Sequence, residues 1–383
     1  MPYEFEDRVY VDLVFNGQTF PFDRVNNLNF LHISTSTKIG VPMLHMSLHD
    51  QMDFFSDSLT LSDGCLIRAR VGKSASSIDH DYLFRLNSVK RTSSSPGTNY
   101  EIDAYLDVSN YWHNTANLPF KGTSYSLMEN IAKVSGMTFA PNEADTKDQQ
   151  VWWPGNRRFF QWAWSVCEES FKSESSHMQM AITPTKELRF SDVTVTPKTN
   201  WDASFMIPRV DHILVTDFLP NDNSGSGNHL TTYGSNRVKQ DLLGSKLQEL
   251  EDTMRIDRRP DELSFRINSD IISQVTRGQV EFAPLDWGNT HKNLQRGKYQ
   301  NQRMSALFSG GCSILTSEST KVMPLDGVNL FVSQSGASGN EFNSMYSGRY
   351  IVSTKSIYVH TNNFYERMDL VRKAYPVRMK KVL

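Results

Sequence analysis

Two acidic pairs, Glu168-Glu169 and Asp261-Glu262, come closest to a two-carboxylate catalytic arrangement. Glycoside cleavage needs two carboxyl groups facing one another across a substrate, roughly 5 to 9 Å apart. Neighbouring residues on a helix or strand point in different directions, so both pairs read as solvated faces. His45 and His49 fall on one face of a strand, but four strand residues span about 13 Å, too far for one metal ion. No HExxH, GxSxG or phosphate-binding loop occurs. Gly225-Ser226-Gly227 sits in a run of Asn, Ser and Gly without the strand-to-helix context of a phosphate cradle. Cys65, Cys167 and Cys312 lie far apart, form no CxxC pair, and read as small buried hydrophobes. Catalytic, cofactor-binding and metal-ligating residues are therefore all expected to be absent, and no cofactor is implied.

Two segments could recognise a partner. Trp152-Trp153-Pro154-Gly155 followed by Arg157-Arg158 offers rings beside cations, although a turn seating the next helix is the simpler reading. The run 372-RKAYPVRMKKVL-383 carries five basic residues in twelve. It reads equally as a solvated tail or as a contact for an acidic partner within an assembly.

The surrounding elements are mostly strands. Val9, Val11, Leu13 and Phe15 alternate with less apolar neighbours ahead of Asn16-Gly17, a pair that suits a type I′ hairpin. Leu44-Met46-Leu48, Cys65-Ile67-Ala69-Val71 and Tyr100-Ile102-Ala104-Leu106-Val108 alternate in the same way, as antiparallel sheets with one wet face do. Three blocks recur in order near the C-terminus: 61-LSDGCLIRARV-71 with 324-PLDGVNLFVSQ-334, 82-YLFRLNSV-89 with 350-YIVSTKSI-357, and 99-NYEIDAYLDV-108 with 364-FYERMDLVRK-373. This reads as an internal duplication of one β unit, with Tyr82 matching Tyr350 and Tyr100 matching Tyr365. Strands 82–89 and 350–357 are expected at sheet edges that neighbouring subunits cover.

Between the two units the period becomes helical. Ser126 and Glu129 suggest a capping box, Leu127, Ile131 and Val134 one buried face, and Gly136 the stop. A second helix is expected from Asn156, with Phe160, Trp164, Cys167 and Phe171 as its stripe, widened by Phe159, Ala163 and Val166. Segments 177–183 and 187–193 predict a hairpin beneath it. Residues 238–254 read as helical through Leu242, Leu243, Leu247 and Leu250, weakened by Gly244.

A duplicated β unit around such an insertion resembles the central baseplate hub of contractile phage tails, a family related to the hub part of type VI secretion spike proteins. The resemblance rests on 124-SYSLMENIAKVSGMTFAP-141, 158-RFFQWAWSVCEESF-171, 177-HMQMAITPTKELRF-190 and the closing 346-YSGRYIVSTKSIYVHTNNFYERMDLVRK-373. It implies an α+β, mainly β chain with two similar antiparallel tube-like β-barrel or sheet domains and a small α/β insertion. Residues 1–111 would form the first tube-like domain and 112–205 the insertion. Residues 206–310 would be an irregular or helical connection contributing to the β domains, and 311–383 the second tube-like domain with the basic tail. The implied function is structural: a homotrimeric adaptor joining a threefold spike to a sixfold tail tube, with DNA only as passing cargo. Implied partners are the tail spike protein, the tail tube or tube-initiator protein, the tape measure protein and other baseplate proteins. The implied location is the virion tail, after assembly in the host cytoplasm. A distal tail protein of a non-contractile phage, or a tail-associated cell-wall hydrolase, is the alternative.

Composition agrees with that class. The 383 residues carry a net charge of −2, without the basic excess of a general nucleic-acid binder. The opening MPYEFEDRVY is acidic and polar, unlike a signal peptide, and no run of 18 apolar residues occurs, so no membrane insertion is expected.

Overall fold

The alternating segments of the first hundred residues each bury one face in a common core. The computed structural model describes residues 9–222 and 310–372 apart from short loop segments, together with isolated strands between 235 and 284 and at 375–376. The first unit comprises β1 (Tyr10–Phe15), β2 (Gln18–Thr19), β3 (Leu28–Ser36), β4 (Met43–Asp50), β5 (Leu66–Ser74), β6 (Ser77–Ser93) and β7 (Thr98–Leu106). Across the sheet the order is β2-β1-β5-β6-β7-β4-β3, antiparallel throughout. The β1–β2 turn places Asn16 and Gly17 at φ 46° and 85°, as the Asn-Gly pair predicts. Leu13, Phe15, Leu44, Met46, Ile67, Ala69, Ile102 and Ala104 all point inward and are buried. The Asp50 carboxylate accepts from the backbone N–H groups of Phe54 and Phe55, which holds the Phe55 ring 5.0 Å from Phe15.

The insertion follows as α1 (Ser109–His113), β8 (Phe120–Gly122), α2 (Ser124–Val134), β9 (Thr138–Pro141), β10 (Gln150–Trp152), α3 (Phe159–Glu169), β11 (Met178–Ile182) and β12 (Glu187–Asp192). The β11–β12 hairpin matches its expected position, and β9 adds to β12 in parallel. The cap of α2 lies earlier than the sequence suggests. Thr123, not Ser126, is the N-cap: its Oγ1 accepts from Ser126 N while Ser126 Oγ accepts from Thr123 N. Glu129 is thus an exposed mid-helix residue, and Val134 falls on the solvent side with Leu127 and Ile131 buried. Gly136 ends the helix at φ 71° as expected. Helix α3 begins at Phe159 rather than Asn156, because Gly155 and Asn156 both take positive φ and break the run. Its inward residues are Trp162, Ala163, Val166 and Cys167, with Phe160 and Trp164 only half-buried. Buried Asp148 accepts from Ser124 N and Phe171 N, tying the start of α2 to the chain leaving α3.

The second unit is built from β13 (Asn200–Phe205), β14 (Ile213–Val215), β15 (Asp217–Asp222) and, after a long excursion, β20–β23. The excursion contains β16 (Ser235–Gln240), β17 (Leu247–Asp252), β18 (Glu262–Leu263) and β19 (Glu281–Pro284). The later strands are β20 (Gly310–Thr316), β21 (Gly327–Val332), β22 (Gly348–His360), β23 (Asn363–Arg372) and β24 (Tyr375–Pro376). Strand β13, inside the segment read as insertion, is hydrogen-bonded into this second unit. The helical reading of 238–254 does not hold for its described residues: β16 and β17 pair antiparallel, with Gly244 in the intervening run. Leu242 and Leu243 lie outside the described residues. The order β14-β13-β21-β22-β23-β20-β15 closes on itself, because only Thr216 separates β14 from β15 and its N–H donates to Leu315 O. The result is a small barrel around Cys312, Ile314, Val328, Leu330, Tyr350, Val352, Met368 and Leu370.

The two units share one topology. Reading across each sheet gives β3-β4-β7-β6-β5-β1 and β15-β20-β23-β22-β21-β13, with matching chain order. Only the last pairing differs, being antiparallel for β1–β5 and parallel for β13–β21. A bulge interrupts β6 between Leu86 and Ser88, and β22 at the equivalent place between Val352 and Thr354. Aligned on that bulge, Tyr350 matches Phe84 and Tyr365 matches Asn99, so the tyrosine matches fail. A two-residue slip keeps a side chain on its face, which is why Tyr82 and Tyr350 are both buried. A one-residue slip reverses it: Tyr100 is buried and Tyr365 lies outside.

Strand β22 joins the units. Its start pairs with β21, its end (Thr354–His360) pairs with β3, and β23 flanks its other side. Strands 82–89 and 350–357 are therefore interior and not sheet edges. At this seam a charge network is sealed from water. Fully buried Glu366 lies 3.1 Å from Lys355 Nζ and 2.9 Å from His80 Nε2, and accepts from Thr320 Oγ1 at 2.5 Å. Lys355 Nζ also donates to Thr320 O at 2.6 Å. Burial alone would raise the Glu366 pKa, but the His80 hydrogen bond and the Lys355 charge outweigh it and hold it below the ordinary 4.5.

Glu366→Ala leaves Lys355 buried and unpaired, and should cost on the order of 3 to 5 kcal/mol in urea denaturation. In the native chain the Glu366 contribution should be complete above pH 4.5 and fall away as pH drops through its lower folded pKa. Equal stability of the variant and the native chain at neutral pH would refute this account.

Candidate functional site

Glu168 accepts from Trp164 Nε1 at 2.9 Å, while burial pushes the Glu169 carboxyl up against the opposing charge of Arg157. Asp261 lies outside the described residues, and Glu262 sits in β18, paired with β24. His45 Nδ1 is 2.6 Å from Asp103 Oδ1, and His49 Nδ1 is 2.7 Å from Asn99 Oδ1. Among the described residues no three His, Cys, Asp or Glu side chains converge as metal ligands. Cys65, Cys167 and Cys312 are free and buried, and burial raises the Cys312 thiol pKa to about 12. Gly225-Ser226-Gly227 lies outside the described residues.

Sequence reading missed a polar row on the wet face of the sheet. The registers align Tyr365, Tyr358, His32, His45, Asp103 and Ser88 across β23, β22, β3, β4, β7 and β6. The row crosses the seam between units. His32 stacks on Tyr358 with ring centroids 4.2 Å apart, and Ser88 Oγ donates to Asp103 at 2.9 Å. The His32 pKa is lowered, first by burial and second by His45. No local signal announces such a row, because its members are distant in sequence and only strand register assembles them.

The Trp-Trp segment divides between its two readings. Trp152 is buried and its Nε1 donates to Gly122 O, securing the antiparallel β8–β10 ribbon. Pro154 to Asn156 then turn the chain into α3. Trp153 remains exposed, as do Arg157 and Arg158.

No protein-family model matches the sequence, and no curated protein matches it. Solved structures share the fold. The 43 kDa tail protein of prophage MuSo2 from Shewanella oneidensis superposes with a TM-score of 0.58 at 7% identity, covering 96% of this chain and 99% of that one. A tail protein from Neisseria meningitidis MC58 gives 0.55 at 10% identity, covering 96% and 100%. A chain of the half-lidded Francisella PdpA–VgrG complex gives 0.51 at 6% identity, covering 97% of this chain and 60% of that one. The chain thus has the mainly β, α+β fold of phage tail proteins, which is also present in the VgrG complex.

His32 should titrate below 6.5 in pH-dependent NMR, and His45→Ala should move its pKa upward by removing the neighbouring positive charge. Because protonation is disfavoured in the folded state, His32 should subtract stability as pH falls below 6.5. An unchanged His32 titration in His45→Ala would dissociate the two imidazoles.

Proposed function

We propose that this chain is a structural protein of a phage-type tail, serving as a baseplate hub. The observation that carries this reading is the repeated strand order, β3-β4-β7-β6-β5-β1 and β15-β20-β23-β22-β21-β13, within one chain. Three such chains around an axis bring six similar sheets into a ring, which lets a threefold spike meet a sixfold tube. A ring of that kind encloses a channel through which DNA passes as cargo. Its partners are then the spike, the tube or its initiator, the tape measure and other baseplate proteins, all in the virion tail. The full-length overlap with two tail proteins supports the same reading at the level of fold. A distal tail protein with one such unit per chain fits less well, since two units are present here.

A non-enzymatic role agrees with Glu168 of α3, which accepts from Trp164 Nε1, and with the buried acids Asp50 and Asp148, which accept from backbone N–H groups. The subunit contact would lie at the end of the first sheet, where among the described residues β1 is flanked outward by the two-residue β2. The last strand of a sheet is where a neighbour can add by pairing.

Native mass spectrometry should find a trimer of about 131 kDa, three times 43.8 kDa, alone or with a co-expressed spike. A stable monomer or hexamer under both conditions would defeat the hub assignment. Peptidoglycan clearing abolished by Glu168→Gln would instead favour a hydrolase.

A further inference from the structure

The three most exposed large apolar side chains among the described residues are Leu118 (80%), Trp153 (69%) and Val151 (60%). All three belong to the β8–β10 ribbon or its flanks. Lys121 lies opposite Val151, and Trp153 follows two residues later, so the three share the outward face by strand alternation. Trp152 and Phe120 turn the other way, onto the insertion's core. Exposed Arg157 and Arg158 return past the ribbon, fixed by Ala116 N donating to Arg157 O and by the Thr115–Arg158 bridge. No carboxylate among the described residues pairs with Lys121 or Arg158. A solvent-facing Trp and Val beside unpaired cations is the composition of an interface hot spot rather than of an idle surface. The ribbon has only two strands, and a third strand adding to its edge would supply backbone partners as well.

We propose that this face is a docking surface for the acidic-aromatic segment Tyr3-Glu4-Phe5-Glu6-Asp7 of a neighbouring copy of the chain. The assignment rests on the hub reading, because it requires that copies meet. Charge decides the occupant: the segment brings three carboxylates to Lys121, Arg157 and Arg158, and two rings to Trp153, Val151 and Leu118. The basic run 372–383 is repelled by the same surface. The segment directly precedes β1, at the end of the first sheet where the hub reading places the subunit contact.

The probe is a fluorescein-labelled peptide of residues 2–8, followed by anisotropy against the full chain. Saturable binding, weakened about tenfold or more by Trp153→Ala or Arg158→Glu and unchanged by Lys133→Glu on exposed α2, is the expected result. No binding, or equal binding of a scrambled peptide, overturns the proposal. A full chain carrying Phe5→Cys and Trp153→Cys should oxidise to disulfide-linked multimers, whereas cross-linking within single chains overturns the assignment to a neighbour. A chain that binds the peptide but stays monomeric by mass defeats the hub reading and leaves the surface standing. A trimer that ignores the peptide does the reverse.

Discussion

Everything in this fold depends on β22 belonging to two sheets. Its first residues close the C-terminal barrel against β21, and its last seven extend the N-terminal sheet against β3. A strand with such divided loyalty must be held where it changes partner, and the bulge between Val352 and Thr354 lies there. Lys355, two residues past Val352's bulged neighbour, is buried and lies 3.1 Å from Glu366, which His80 of the first unit reaches from its other oxygen. Desolvating these groups is expensive, and apolar side chains of similar volume would often give equal stability. What apolar packing lacks is direction. Lys355, Glu366 and Thr320 interlock within the second unit, and His80 of the first unit joins them at 2.9 Å from Glu366 and 2.9 Å from Ser319, which ties the units at this point.

The insertion is fixed by a different device. Its helices are short, with α2 and α3 spanning 11 residues each, and helices of that length are marginal alone. Their burial against β11 and β12 supplies most of their stability, and Asp148 adds two backbone hydrogen bonds at the helix ends. Arg189 on β12 then reaches Asp326 at 2.7 Å and Pro324 O at 3.1 Å, just before β21. The insertion is therefore pinned to the second unit by a half-buried ion pair, and to the first by the continuous chain from β7 into α1.

Residues whose role is local were readable in the sequence. Alternation located β1, β4, β5 and β7, and Asn16-Gly17, Gly136 and the β11–β12 hairpin stood where turn and cap chemistry placed them. The repeat is visible because inward residues recur, but pairing tyrosine with tyrosine offsets β22 by two residues and β23 by one, since the pleat repeats faces and not residue types. Strand β3 and the pairing of β22 with it carry no local mark. The His32–His45–Asp103 row and the Glu366 network are likewise products of register, joining residues as much as 286 positions apart. The Ser126–Glu129 spacing imitates a capping box, while the cap itself is the Thr123–Ser126 exchange of hydrogen bonds, which has no acidic or amide partner to mark it.

Duplication within one chain has a consequence that two separate proteins could not reproduce. Once the halves are covalently joined, each can diverge while their stoichiometry stays fixed. Here the sheets stay alike, and the differences collect in the connections. The first unit is followed by the α/β insertion after β7, while the second carries the β16–β19 excursion between β15 and β20. Around a threefold axis the similar sheets would approximate sixfold symmetry, and the dissimilar connections would remain strictly threefold. In the proposed trimer the sheets would meet a sixfold partner and the connections threefold ones. The exposed Trp153 and its flanking cations lie on such a connection, so in the proposed trimer their surface would occur three times rather than six.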